Sequence, residues 1–201
     1  MRHVRLLTAM FALLALAAVT TTTAQAAIVE LKTADYNGNR YILVDDDTNG
    51  NGIAWTAAES YAQATYGAHL TTVNDAAENA WIVSQFRDWD GDNSTNGVLI
   101  GLNDVALEGT FVWVDGDPSM YRNWNSGEPN DYGSGEDFVS MLRTTNGLWN
   151  DIPDTLSWNA PYYGLIEMAI APEIIPEPTT FLVWFLLAAL GIGCGAYRRK
   201  R

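Results

Sequence analysis

Short runs of β-branched and aromatic residues recur along the middle of the chain, separated by polar stretches that contain Gly, Asn and Asp. This pattern predicts short strands joined by loops. The predicted strands are Tyr41–Val44, Val98–Leu102, Phe111–Val114, Phe138–Leu142, the vicinity of Trp149, and Gly164–Met168. The connections between residues 115 and 137 are longer than usual, which is typical of loops that carry function.

Two helices are predicted between the first two of these strands. In each, a side-chain acceptor precedes a glutamate by three positions, which is the spacing of a capping box: Thr56 with Glu59, and Asp75 with Glu78. The first helix is expected over residues 57–66 and the second up to residue 86. Helices that precede a set of strands, rather than alternating with them, indicate an α+β domain instead of a doubly wound sheet.

The second predicted helix has an apolar face that we expect to be buried. Its members recur at three- and four-residue spacings: Ala77, Ile82, Val83 and Phe86. Trp55 and Trp81 are interpreted as core residues rather than platforms for sugar stacking, and His69 as a structural residue. The other His lies at position 3, so a histidine-based catalytic site is not predicted.

Two loop segments concentrate side chains that carry oxygen. Residues 128–137 read Glu-Pro-Asn-Asp-Tyr-Gly-Ser-Gly-Glu-Asp, and residues 149–151 read Trp-Asn-Asp. Carboxylate and amide oxygens on irregular loops are ligands that Ca²⁺ accepts, with about 6–8 oxygens per ion. Neither segment contains His or Cys, which argues against Zn²⁺ or copper. A solvated acidic turn is the simpler alternative, because Asp, Asn and Gly also favour turns.

The order of these residues resembles the calcium- and sugar-binding loop of C-type lectins. That family's pattern is a Glu-Pro-Asn triplet, a following Glu, and an Asn-Asp pair after a Trp. The resemblance implies that the matching residues are ligands of a principal calcium ion, which itself holds the sugar. These residues are Glu128, Asn130, Glu136, Asn150 and Asp151.

Further matches support the resemblance, which covers residues 36–168. Ile100–Leu102 is similar to the family's core strand, and Trp113 to the core aromatic residue that follows it. The resemblance implies a C-type lectin-like fold with two helices, short antiparallel strands and long calcium-binding loops. It also implies an auxiliary calcium site at Asp104, Glu108, Asp131, Glu136 and Asp137.

The Glu-Pro-Asn triplet implies a class of sugar. In the family this triplet goes with equatorial 3- and 4-hydroxyls, as in mannose, glucose, N-acetylglucosamine and fucose, whereas Gln-Pro-Asp goes with galactose. Tyr132 is a candidate for packing against the sugar ring, with a solvent-facing loop aromatic as the alternative. Pro129 is usually cis in the family, an isomer that sequence does not reveal.

The chain departs from the family in its cysteines. Its single Cys, Cys194, lies near the C-terminus, whereas animal members usually have two disulfide bridges. Phe138 and Ile166 occupy positions where half-cystines would stand, so we expect apolar packing to replace the crosslinks. A domain over residues 27–170 is long enough to bury a core without them.

Two other acidic stretches are interpreted as solvated turns. Residues 45–50 match the start of an EF-hand loop, but Thr56 stands at the closing position where a Glu ligand is needed. Residues 88–92 are interpreted in the same way, with a weak surface ion site as the alternative.

Residues 1–26 are predicted to be a secretory signal peptide. The segment has a basic start, an apolar run from Leu6 to Val19, and the small-residue cleavage sequence Ala24-Gln25-Ala26. A membrane anchor is the alternative, but the run is shorter than the roughly 20 residues that span a bilayer.

The C-terminal end resembles the PEP-CTERM sorting signal of Gram-negative bacteria. A linker over residues 171–180 contains Pro176, Glu177 and Pro178, a predicted transmembrane segment covers residues 181–197, and residues 198–201 form a basic, cytoplasmic end. The resemblance implies transient anchoring in the inner membrane, cleavage by an exosortase-type protease, and release towards the cell surface or extracellular matrix. A plain C-terminal anchor is the alternative.

The exported part is strongly acidic. Residues 1–26 and 176–201 carry six of the 11 Lys and Arg side chains but one of the 24 acidic ones, which leaves a net charge near −18 between them. Such a surface repels nucleic acid and anionic lipid, so no nucleic-acid partner is expected. Bound divalent cations relieve this self-repulsion.

The sequence therefore predicts an exported, calcium-dependent protein that binds glycans or exopolysaccharide. Two alternatives stay open: a calcium-stabilised module of the same fold for protein or matrix adhesion, and a glycosidase with paired carboxylates. We predict that the protein is not an enzyme, because metal ligation keeps carboxylates ionised whereas glycoside hydrolysis needs two pKa values driven apart.

Overall fold

A computed structural model describes residues 27–46, 52–86, 88, 97–133, 135–142, 147–154 and 162–171. The predicted signal peptide, the Pro-Glu-Pro motif and the predicted transmembrane segment lie outside these residues, as does most of each of the two minor acidic turns. In the described part of the chain, no helix is long and apolar enough to cross a membrane.

Within the residues that the structure describes, eight strands form one sheet, which with the two helices confirms the α+β class. Its path runs β1-β2-β8-β4-β6-β7, with β3 paired to β8 and β5 paired to β4. All pairs are antiparallel except β4 with β8, which is parallel. The strands are β1 (Ile28–Tyr36), β2 (Asn39–Asp46), β3 (His69–Leu70), β4 (Gly97–Asn103), β5 (Val112–Trp113), β6 (Phe138–Leu142), β7 (Trp149–Ile152) and β8 (Tyr162–Ala169).

Two of these strands, β1 and β3, are absent from the predicted set. Asn37 and Gly38 join β1 to β2 with positive φ angles of 49° and 86°, the backbone of a two-residue hairpin turn. The Asn-Gly pair is the signal in the sequence that indicates this hairpin. β3 has two residues and exists because it pairs with β8, so no local pattern predicts it.

The two predicted helices are present as α1 (Trp55–Tyr66) and α2 (Ala76–Phe86). The capping box of α2 forms in part: the Asp75 carboxylate accepts from the Glu78 amide as predicted, while Glu78 accepts from the amide of Asn74, one residue before the cap. The predicted capping box of α1 does not form. The helix begins one residue before Thr56, and Thr56 bonds through its amide and hydroxyl to the distant Asp154 carboxylate.

The buried face of α2 differs from the predicted one. Ile82 and Phe86 are buried, but Ala77 is exposed, and the polar side chains of Glu78 and Asn79 are buried in its place. The apolar pattern misses these two residues because their polar atoms are satisfied by long-range hydrogen bonds that the local sequence does not contain.

Apolar clusters lie on both faces of the sheet. Trp55 is buried in one of them, as predicted, and its indole donates to the Ile100 carbonyl. Phe138 stacks at 4.7 Å from Trp55, and Ile166 is fully buried in the same cluster. Both residues that replace half-cystines therefore contribute to the core. Trp81 is only partly buried. It packs against the other cluster and stacks on Tyr36.

Trp149 lies at the centre of the second cluster and is fully buried. Three aromatic rings meet it edge-on at 5.6 to 6.0 Å. Its indole donates to Asn79 Oδ1 at 2.9 Å, while Asn79 Nδ2 donates to the Gly147 carbonyl at 3.2 Å. Helix α2 thus holds the start of β7 through one buried amide.

Replacing that amide tests this connection. Asn79→Ala leaves the buried Trp149 indole without an acceptor, so we expect the free energy of unfolding to fall by about 1–3 kcal/mol in urea titration. Ser84→Ala, at an exposed position of the same helix, is the matched control and should change it by less than about 0.5 kcal/mol. Equal losses in the two variants would contradict this role for Asn79.

Candidate calcium and sugar site

Backbone hydrogen bonds hold the residues just before the Glu-Pro-Asn triplet against β7. The Asn125 amide donates to the Trp149 carbonyl at 2.8 Å, and the Glu128 amide donates back to the Asn125 carbonyl at 3.0 Å. The Glu128–Pro129 peptide is cis. The loop therefore reaches the edge of the sheet where Asn150 and Asp151 stand.

The buried carboxylate of Asp151 joins the two acidic segments. Its side chain is 1% exposed. Oδ2 accepts from the Asn130 amide at 2.9 Å and from the Asp131 amide at 2.8 Å. One β7 side chain thereby fixes the backbone of the Glu-Pro-Asn loop directly after Pro129.

The rest of the loop closes on itself through further carboxylates. Asp131 has a φ of 45°, and its Oδ1 accepts from the amides of Gly135 and Glu136 at 2.6 and 3.2 Å. Glu136 Oε2 accepts from the Tyr132 amide at 2.8 Å. These turns leave the Tyr132 side chain 82% exposed, so its ring is accessible beside the Glu-Pro-Asn triplet.

The carboxylates of Glu128, Glu136 and Asp151 are close enough to disturb one another. Burial, followed by the charge of Asp151, raises the pKa of Glu128 above its usual range. Burial also raises the pKa of Glu136, the Tyr132 amide opposes this effect, and the charges of Asp151 and Asp131 add to it. Each raised pKa indicates negative charge that no neighbouring cation compensates.

A second acidic cluster lies beside the first. One oxygen from each of Asp104, Glu108 and Asp137 lies within 4.8 Å of the other two. Asp104 is 1% exposed, and its Oδ2 accepts from the Gly109 amide at 2.8 Å. Burial raises the pKa of Asp104, and the charges of Asp137 and Asp151 raise it further. The effect of Asp151 shows that the two clusters act on each other.

The structure places the predicted ligands in these two groups. Three of the five predicted auxiliary ligands converge, whereas Asp131 and Glu136 use carboxylate oxygens to accept loop amides. Among the described residues, no second carboxylate trio reaches the same closeness, so the principal ligands are adjacent but less convergent. Asn150 donates to the Asp151 carbonyl through Nδ2 at 2.7 Å.

The donor atoms fit a hard divalent cation. Glu128 Oε2 and Asp104 Oδ1 are buried without a hydrogen-bond partner, and both belong to predicted ligands. A buried carboxylate oxygen without a donor is costly unless a cation or proton satisfies it. The basic side chains of the described residues contact other groups: Lys32 donates to the Gln85 carbonyl, Arg40 pairs with Asp35, and Arg122 donates to backbone carbonyls.

The sequence pattern misses the glycine that supports the auxiliary cluster. Gly109 has a φ of 75° and presents its amide to Asp104, five residues earlier. The Asn-Asp pair at residues 103 and 104 and the Gly at position 109 are the turn residues in the sequence that indicate it. Two cavities, of about 350 and 250 Å³, are lined by residues outside both acidic groups.

Comparison with known proteins agrees with this geometry. The family model described as Lectin C-type domain matches residues 51–159. A crystal structure of human lithostathine is 24% identical, with a TM-score of 0.57 over 68% of this chain and 88% of that one. The C-type lectin CEL-I from Cucumaria echinata is 23% identical, with a TM-score of 0.56 over 69% of this chain and 96% of that one.

A third similar structure is the cow C-type carbohydrate-recognition domain of CD23 in the presence of a GlcNAc2Man3 oligosaccharide. It is 27% identical, with a TM-score of 0.54 over 69% of this chain and 94% of that one. The family model spans more than half of the chain, and the sheet and the two helices agree with the fold predicted for it. The chain belongs to the C-type lectin domain family.

Proposed function

We propose that this protein binds carbohydrate in a calcium-dependent manner through the Glu128–Asn130 loop and β7. The observation that carries the proposal is the orphaned, buried Glu128 Oε2 beside the carboxylates of Asp151 and Glu136. Among the described residues, no base pairs with these three acidic side chains, which a cation ligand explains better than a solvated turn.

Each predicted ligand has a distinct task in this proposal. Glu128, Glu136 and Asp151 supply carboxylate oxygens, while Asn130 and Asn150 supply amide oxygens. A bound calcium ion supplies coordination positions for two vicinal hydroxyls of a pyranose. Glu128 and Glu136 accept hydrogen bonds from those hydroxyls, and the two Asn amides donate to them. The Glu-Pro-Asn order favours equatorial 3,4-diols of the mannose type.

The Asp104 cluster is proposed as an auxiliary calcium site. Asp104, Glu108 and Asp137 converge, and Asp104 Oδ1 lacks a partner. Because Asp151 also raises the pKa of Asp104, a cation here lowers the repulsion across both clusters. We propose one principal and one auxiliary ion, with the second acting chiefly to order the loop.

The cellular setting is also a proposal. The signal peptide, the Pro176–Pro178 motif and the basic end support export, transient anchoring in the inner membrane of a Gram-negative bacterium, and release by an exosortase-type protease. A shallow monosaccharide site binds weakly by itself, so display at high density on a surface supplies the avidity. The natural target is then a dense glycan or exopolysaccharide.

A protein- or matrix-binding module is the second candidate. A similar structure, at 20% identity and a TM-score of 0.53, is a calcium-independent type II antifreeze protein, which shows that the fold supports other uses. Four large apolar side chains near the auxiliary cluster are between 47% and 84% exposed: Val105, Leu107, Val112 and Met120. Competition by free sugar separates the two candidates.

The sugar site is tested by exchanging the triplet. In calorimetric titration, calcium-dependent mannose heat should vanish in chelator and shift towards galactose in Glu128→Gln with Asn130→Asp. Tyr132→Ala should weaken binding several-fold without changing calcium dependence, because the exposed ring lies outside the ligand set. Calcium binding without any sugar response would favour the protein-binding candidate.

The auxiliary site is tested by one substitution that should raise the melting temperature without calcium and lower it with calcium. Asp104→Asn keeps an acceptor for the Gly109 amide but removes one buried charge. We expect the variant to melt about 2–4 °C higher than wild type in chelator, because repulsion falls, and lower than wild type in calcium, because a ligand is lost. Glu30→Gln, at an exposed position of β1, is the control and should shift neither value. A variant that melts lower under both conditions would point to a purely structural Asp104.

The pH dependence of calcium binding follows from the raised pKa values of Glu128 and Glu136. Protons compete with calcium for these carboxylates, so affinity should fall as the pH drops towards those pKa values. Without calcium the sign reverses: the folded state holds protons that the unfolded state releases, and stability falls as the pH rises through the raised values. Calcium affinity that stays flat down to about pH 4 would exclude these residues as ligands.

A further inference from the structure

Another pair of acidic side chains lies far from the calcium loops, between α2 and the sheet. Glu78 is in the first turn of α2 and is 5% exposed. Glu167 is on β8, directly opposite Tyr41 of β2 in the strand register. The Tyr41 side chain is 1% exposed, and its hydroxyl lies between the two carboxyl groups.

The distances from the Tyr41 hydroxyl to the two carboxyl groups show how many protons the three side chains need. Tyr41 Oη lies 2.5 Å from Glu78 Oε1 and 3.1 Å from Glu167 Oε1. A phenol has one proton to donate, so it satisfies one of these contacts. The other is a hydrogen bond only when the second carboxyl carries a proton and donates it to the phenol oxygen. With both carboxyls ionised, one contact becomes a repulsion between lone pairs.

The remaining contacts of the pair supply donors but no positive charge. Glu78 Oε2 accepts from the Asn74 amide at 2.7 Å. Glu167 accepts from Asn39 Nδ2 at 2.6 Å and from the Thr72 amide at 3.2 Å. Among the described residues, no Lys or Arg forms an ion pair with either carboxyl.

The titratable groups around the pair are mostly acidic. His69 of β3 pairs with Glu167 in register, but its Nδ1 contacts the Glu59 carboxylate of α1 at 2.6 Å. Acidic side chains approach from the start of α2 and from the loop after β5: Asp75, Asp115 and Asp117. The pair therefore lacks a compensating base, and a proton is the available counter-charge.

We propose that Glu78, Tyr41 and Glu167 share one carboxyl proton, which fastens α2 to the sheet and makes the folded domain more stable at mildly acidic than at alkaline pH. The contact is a pH-responsive fastening that works independently of calcium. It also reaches β7, because Asn79 follows Glu78 and holds the Trp149 indole.

The electrostatics agree with this geometry. Burial, followed by the charge of Glu78, raises the pKa of Glu167 from 4.5 to about 7. Burial likewise raises the pKa of Glu78. The folded state then keeps a proton that the unfolded chain loses above about pH 4.5. Stability from this proton is complete below that pH and disappears as the pH rises through about 7.

Solvent has a route to the shared proton. Glu167, His69 and Asp115 line a cavity of about 350 Å³ at the end of α1. Glu167 is half-buried rather than enclosed, so its carboxyl exchanges protons with water without unfolding of the core. The fastening therefore responds to the pH of the surrounding medium.

The test is thermal unfolding of the full chain in mild detergent and chelator, from pH 4.5 to 8.5. Other raised carboxyls contribute to the wild-type slope, so the difference between variants is the measurement. Wild type should lose about 3–6 °C more over this range than Glu167→Gln. With Nε2 at the position of Glu167 Oε1, the Gln amide donates permanently to Tyr41, which mimics the protonated state, while its oxygen accepts from the Thr72 amide. Asn39, which donates to Oε1 in the wild type, turns its own amide to accept from the same Nε2.

Glu30→Gln, an exposed carboxyl of β1 outside the triad, is the matched control and should keep the wild-type slope. Infrared difference spectra give a second readout: a protonated-carboxyl C=O band at pH 6 that Glu167→Gln lacks and that Tyr41→Phe shifts. Equal slopes in wild type and Glu167→Gln, or an unchanged band in Glu167→Gln, would overturn the proposal.

Discussion

The carboxylate of Asp151 is the contact on which the candidate site depends. It is buried, yet it accepts the amides of Asn130 and Asp131 and so fixes a loop that has no regular structure of its own. Strand alternation places Asp151 on the same face of β7 as Trp149, whose ring lies in the aromatic core. The rigidity of the core is thereby passed to the loop, two residues further along the strand.

The domain places acidic side chains close together in two groups, although their charges repel one another. Glu128, Glu136 and Asp151 form one group, and Asp104, Glu108 and Asp137 form another. The basic side chains of the described residues contact other groups. Such an arrangement stores electrostatic repulsion that a divalent cation relieves. The same property that makes the loops candidates for calcium binding would make their order depend on the ion in the proposed function.

Buried acids in this molecule are balanced in two ways. At the loops, an orphaned oxygen such as Glu128 Oε2 is suited to a metal ion. At the α2 junction, the oxygens of Glu78 and Glu167 are already occupied by amide donors and by the Tyr41 hydroxyl, so there is no open coordination and a proton completes the network. Donor saturation, rather than acidity alone, distinguishes the two.

The sequence by itself determined the helices, most strands and the loop that contains the Glu-Pro-Asn triplet, because these depend on local periodicity, turn residues and side-chain chemistry. The residues of the capping box at Asp75 and the core role of Trp55 also followed from local pattern. Tertiary structure decided what depends on distant partners: β3 on β8, the parallel pair of β4 and β8, and the bond from Thr56 to Asp154 in place of a cap. Glu78 and Asn79 are buried only because Tyr41 and Trp149 satisfy them, and pairings of this length lie outside any local pattern.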